Sequence, residues 1–190
     1  MSRRVRRLGI LVLVLLVVGT IALVLTGRPR LEDDRTRVDE RWTPLRVPLG
    51  MRYDQLAVVL AELEAAGADD RDVSRDLDRE LSRWDDLRRS PGDDVDAEAE
   101  AASSNRLEAL AARAASTVMN SARLSTVPAL VDAVTVLGQI VLPADAVGAY
   151  NNAAARYQKT RESLRYAFVA RALGYDTRPA IVVPTEPPPA

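Results

Sequence analysis

From Leu8 to Thr26 the chain carries no charged residue, and a run of that kind has few folded outcomes. About 20 apolar residues cross a bilayer as one helix. Arg3, Arg4, Arg6 and Arg7 precede the run, and Arg28 and Arg30 follow it. A cleaved signal peptide shares the basic start, but its apolar region is usually about 7–15 residues long and ends at a small-x-small site. Here Gly27-Arg28-Pro29-Arg30 follows instead. We read a basic flank over 1–7 and an uncleaved, single-pass transmembrane anchor over 8–27, which puts the chain in a cell membrane. The N-terminal arginines favour an inside N-terminus, so the rest of the chain is expected outside the cytoplasm.

The remainder is one domain of ordinary size, 31–176, with a tail over 177–190. Six of the 26 basic residues and none of the 27 acidic residues precede Leu31, leaving 20 against 27, a charge of about −7. Nucleic-acid binding rests on Lys and Arg facing phosphates, so no nucleic-acid partner is expected. With no cysteine there is neither a disulfide, a lipid-bearing thiol nor a thiolate metal site.

Helical spacing runs through the domain. Val38, Trp42, Leu45, Leu49, Tyr53, Leu56, Leu60 and Leu63 recur at steps of three and four, the seam of a bundle helix. Pro44 and Pro48 interrupt it, which predicts one kinked helix ending near Gly67. A second helix is expected over Asp69 to Arg89, with Val73, Leu77, Leu81, Trp84 and Leu87 inward and a charged outer face. Asp93 to Glu100 reads as a loose acidic loop or a frayed helix start. A third helix, roughly Ala97 to Leu124, turns Leu107, Leu110, Ala114, Val118 and Ser121 to one side. Pro128 opens a short apolar helix that Pro143 ends. Asp145 then caps a last helix whose seam, Val147, Tyr150, Ala154, Tyr157, Leu164 and Phe168, runs to Leu173 before Gly174. The last seven residues hold four prolines, so the tail is expected to be extended and disordered. The fold class is all-α, an antiparallel four-helix-type bundle behind a transmembrane helix.

The chemistry is sparse. No histidine is present, which removes di-iron, zincin and Ser-His-Asp sites. Neither Gly-x-x-x-x-Gly-Lys nor Gly-x-Gly-x-x-Gly occurs. Lys159, the sole lysine, falls on a polar helix face. Asp93, Asp94, Asp96 and Glu98 lack the spacing and glycine of an EF-hand. No catalytic, cofactor-binding or metal-ligating residue is assigned, and the chain reads as a non-enzyme without a cofactor. Arg161 interrupts the last seam. Either it snorkels while Thr160 faces inward, or it is a buried cation paired with an acid on another helix.

Tyr150-Asn151 and Tyr157-Gln158, seven residues apart, resemble the repeated Tyr-Asn of the LemA family. Ala167-Phe168-Val169-Ala170-Arg171-Ala172-Leu173-Gly174-Tyr175, followed by Arg178-Pro179, is similar to that family's closing stretch. Arg37-Val38-Asp39-Glu40-Arg41-Trp42 and Met51-Arg52-Tyr53-Asp54-Gln55-Leu56 resemble its blocks near the front. The chain departs from the pattern at Gln158, at Leu164-Arg165 and in the polar block before the last helix. The resemblance implies an anchored bacterial four-helix bundle with no established enzymatic activity.

Residues seven apart return to one helix face after two turns. Tyr150 and Tyr157 therefore share a face with Asn151 beside them, and their hydroxyls need partners. Two readings stay open: ring packing with a buried polar lock, or a ligand site. With Trp42 and Tyr53 these residues are the candidate interaction positions. The function expected is a membrane-anchored interaction or scaffold module at the cell envelope, joined to a protein partner or to its own copies. The alternative is an extracytoplasmic small-ligand sensor or carboxylate-based enzyme, which needs a pocket with convergent polar groups.

Overall fold

A computed structural model describes residues 26–89 and 96–186. The expected anchor, apart from Thr26 and Gly27, lies outside the described residues, as do Asp93, Asp94 and the tail beyond Glu186. The described chain is all-helical. Among the described residues no single helix is long and apolar enough to cross a membrane.

Helix α1 covers 26–42 and passes through a 3-10 turn, Thr43–Leu45, into α2, Arg46–Ala65. Pro44 is the second residue of the 3-10 turn and Pro48 lies in the first turn of α2, where a missing N–H costs no intrahelical bond. The backbone stays right-handed through Trp42, Leu45 and Arg46. The seam consequently survives both prolines: Leu31, Val38, Trp42, Leu45, Leu49, Tyr53, Leu56, Leu60 and Leu63 are all buried. Gly67, at φ +66°, ends α2, with the Ala68 amide donating back to the Leu63 carbonyl at 2.9 Å.

Helix α3 is Asp72–Arg89, three residues shorter at its start than the spacing predicts. Val73, Leu77 and Trp84 are buried, and Trp84 meets the Tyr53 ring edge-on at 4.9 Å. Asp–Arg pairs one turn apart, such as Asp72–Arg75 and Asp86–Arg89, cover its outer face. Helix α4, Ala97–Asn120, is capped by Asp96, whose carboxylate accepts from the Ala99 amide at 3.0 Å. Its inward face is small (Ala97, Ala101, Ala111 and Ala114 around Leu107 and Val118), and α3 packs closely along it.

Pro128 is the first residue of α5, Pro128–Gln139, which lies on α2. The helix ends at Gln139 rather than at Pro143. Arg52 explains this: its Nη1 draws the carbonyls of Leu137 and Ile140 at 2.7 and 2.6 Å, and Ile140 turns extended. Pro143 occupies the N-cap position of α6, Ala144–Glu162, so Asp145 lies in the first turn but makes no side-chain cap.

The largest departure comes at Ser163. The last helix does not run on to Leu173; it breaks at Ser163, where ψ is 141°, and restarts as α7, Leu164–Ala172. One extended residue rotates everything after it. Leu164 and Phe168, expected in the seam, are 100% and 55% exposed, while Val169 and Ala170 are buried in their place. Gly174, at φ +67°, closes α7. The chain then leaves helix altogether, and residues 175–186 form a strap laid back over the helices.

Candidate functional site

The tyrosine–asparagine face of α6 and the strap are one structure. Tyr150 Oη donates to the Pro179 carbonyl at 2.9 Å, and Tyr157 Oη donates to the Asp176 carbonyl at 2.8 Å. Asn151 treats Ile181 as a strand neighbour would. Its Nδ2 donates to the Ile181 carbonyl at 3.0 Å and its Oδ1 accepts the Ile181 amide at 2.9 Å. From α4, Asn105 does the same one residue out of step. Its Nδ2 donates to the Ala180 carbonyl at 2.8 Å and its Oδ1 accepts the Val182 amide at 2.9 Å. An extended backbone alternates its polar groups between two edges. Asn151 reads one edge and Asn105 the other, which holds the strap by its main chain between α4 and α6.

Side chains fix the strap lengthwise. Arg178 is 3% exposed and donates to Asp39 on α1 at 3.1 Å and to Glu98 on α4 at 3.4 Å. The Thr177 hydroxyl donates to Glu98 at 2.8 Å. Arg161 Nε donates to the Tyr175 carbonyl at 2.9 Å. Arg161, half-buried, thus holds the start of the strap, and no ion pair of it is seen among the described residues. Thr160 does face inward and donates to Asp34 at 2.8 Å. At the far end the Leu142 amide donates to the Pro184 carbonyl at 2.9 Å. The expectation of a disordered tail from 177 is therefore corrected for 177–184: buried polar partners satisfy its backbone, and Ile181 is itself buried.

Of the candidate residues, the structure brings Tyr150, Asn151, Tyr157 and Trp42 together. The Trp42 and Tyr150 rings lie 5.0 Å apart at 57°. Tyr53 belongs elsewhere, beside Trp84, with its hydroxyl 2.6 Å from Ser104 Oγ. Burial pushes the Tyr150 phenol well above the ordinary tyrosine value, with Arg178 opposing, and it pushes Tyr157 in the same direction. Both hydroxyls thus stay protonated, as donors to carbonyls.

Asn105 and Glu100 escape the sequence reading, and Glu98 enters it only as one of an acidic cluster. Glu100 is 1% exposed; it accepts from Trp42 Nε1 and takes both nitrogens of the Arg46 fork, at 2.9 and 3.1 Å. A sequence signal existed for Asn105, an asparagine in mid-helix, where its side chain competes with the backbone and is disfavoured unless it has another task.

Beside Arg178 an open depression of about 510 Å³ is lined by Arg35, Arg83, Asp96, Glu98 and Asp176 among others. Acids and bases both line it, so it presents no single-sign field to a charged ligand.

Compared with protein-family models, with curated proteins and with solved structures, the chain matches none.

Proposed function

We propose that this chain is a membrane-anchored, non-enzymatic interaction or scaffold module of the cell envelope, built as a LemA-like antiparallel four-helix-type bundle. The uncharged run Leu8 to Thr26 supplies the anchor and leads straight into α1. The observation that carries the reading is the use made of the motif. Both polar side-chain atoms of Asn151 and the hydroxyls of Tyr150 and Tyr157 engage main-chain groups of the strap. A face that spends these side-chain groups on an extended peptide backbone is engaged in holding chain. With that face occupied, the outer surfaces of α2, α4 and α5 are what the module offers to a partner, which is either another envelope protein or a second copy. Val47, Met51, Val58, Met119 and Val136 are exposed there.

Crosslinking in native membranes followed by pull-down tests this. A reproducible partner or a self-complex is expected. Recovery of monomer alone, with no repeatable partner, rejects the proposal. Protease shaving of intact cells with a tag after Ala190 tests the orientation. Loss of the tag is expected for a domain outside the cytoplasm, and a tag protected until lysis reverses that part of the reading.

A further inference from the structure

We infer that α7 is an interfacial foot that lies on the lipid surface where the anchor leaves the bilayer. This rests on the anchor reading above.

The position of α7 comes from its inner face. A Cβ placed on Gly27 would sit 3.1 Å from Tyr166 Cδ1 and 3.3 Å from Val169 Cγ2. Helix α7 is therefore packed against the first described turn of α1, at the residue where the uncharged run ends. Thr160 with Asp34 and Trp42 with Tyr150 give α1 and α6 opposite directions, so the α6–α7 chain returns toward the anchor as it proceeds. With 8–26 across the hydrocarbon, residue 27 stands at the headgroup boundary, and α7 stands beside it.

The chemistry of α7 comes from its outer face. Val169 meets α1 at Gly27, and it and Ala170 are buried, while Leu164 and Phe168, one turn apart, are 100% and 55% exposed. The described chain leaves Leu164 fully open and Phe168 more than half so. Arg171 is exposed on the same helix, and Arg28 and Arg30 are exposed at the start of α1. Large apolar side chains with arginines around them are the composition of a helix lying in the interface plane. The other exposed large apolar residues are on α2, α4, α5 and the strap, or close α7 at Leu173. The break at Ser163 thus has a use: it takes two apolar residues out of a seam they would fill by spacing and turns them to where lipid begins.

The absence of cysteine makes the test direct. Leu164→Cys, Phe168→Cys and Met119→Cys would each carry a nitroxide in the full chain, reconstituted into vesicles of phosphatidylethanolamine and phosphatidylglycerol. Met119 is 66% exposed near the end of α4, beyond which Arg123 reaches the Gly67 carbonyl at the end of α2. Oxygen concentrates in lipid and a nickel chelate stays in water. Labels at 164 and 168 should collide with oxygen several-fold more, relative to nickel, than the label at 119, at every protein-to-lipid ratio. Water-like collision at 164 and 168 in chains that float with the vesicles and resist alkaline extraction overturns the foot and leaves the anchor standing. Shielding from both reagents that grows with protein density also overturns it, in favour of a second copy. Chains that do not float with the vesicles overturn the anchor reading and the foot together.

Discussion

Asn151 of α6 and Ile181 of the strap share two hydrogen bonds, one to the Ile181 carbonyl at 3.0 Å and one from its amide at 2.9 Å. A single amide side chain satisfies both main-chain groups of one extended residue, much as a paired strand would. Asn105 repeats the arrangement on the opposite edge of the same segment, at Ala180 and Val182. The two helices that carry these asparagines are joined through a strap that neither touches in sequence.

Removing either clamp should free the strap locally. Asn151→Ala gives up two bonds at about 1 kcal/mol each, so amide exchange at Ile181 should quicken by roughly tenfold to thirtyfold. Asn105→Ala should act mainly at Val182. Because both hold one segment, their effects should couple in a double-mutant cycle. Exchange at Ile181 unchanged in Asn151→Ala would show that the clamp holds nothing.

Glu100 is buried between Trp42 and Arg46. Glu100→Ala leaves an indole N–H and a half-buried guanidinium without their acceptor. Breaking a fully buried pair from one side costs about 3 kcal/mol or more, but Arg46 is half-buried and can rehydrate, so a loss of about 1–3 kcal/mol is expected. The urea midpoint should fall accordingly with an unchanged slope. Glu100→Gln keeps the shape and one acceptor and should cost less. Equal midpoints for Glu100→Ala and the parent chain would remove Glu100 from the set of core-organising residues.

Arg52 makes four bonds, two to Glu108 at 2.7 and 2.9 Å and two to the carbonyls that end α5. Lysine keeps the charge but has no planar fork. Arg52→Lys should lose about 2 kcal/mol. It should also fray α5 beyond Leu137, read as faster exchange at the amides of Gly138 and Gln139. If Arg52→Lys leaves both readouts alone, charge and not geometry is what the position needs.

Alkaline pH should unfold the chain through its phenols. Burial raises the pKa of Tyr53, Tyr150, Tyr157 and Tyr175 in the folded state. An unfolded tyrosine ionises near pH 10. Above that value the unfolded chain has lost protons that the folded chain keeps, so stability is level below about pH 10 and falls as pH rises further. Phenolate absorbance should rise together with the loss of helical circular dichroism. Full ionisation of these four tyrosines with the helix signal intact would contradict the burial of their hydroxyls.

Much of the helical framework can be read in the residues. The first seam runs through Pro44 and Pro48 because both prolines fall in first turns, where position in the helix matters more than residue type. Gly67 and Gly174 end their helices with positive φ, as spacing alone suggests. The polar core is hidden from such reading. Glu100 looks like one acid in an acidic stretch until Trp42 and Arg46 meet it across more than fifty residues. The tail looks disordered because low hydrophobicity and proline mark disorder, and neither property registers two asparagines on distant helices waiting for its backbone.

Local sequence determined what short-range physics controls. The three-and-four spacing made the helices, glycine and proline punctuated them, and the uncharged run at the start is apolar whatever surrounds it. Tertiary structure alone decided which of two faces α7 would bury. By spacing Leu164 and Phe168 extend the seam of Tyr150 and Tyr157, yet one extended residue at Ser163 turns them out and Val169 in. The reason is that a helix face is chosen by what lies opposite, and the partners of α7, the first turn of α1 and the strap, are brought to it by the fold.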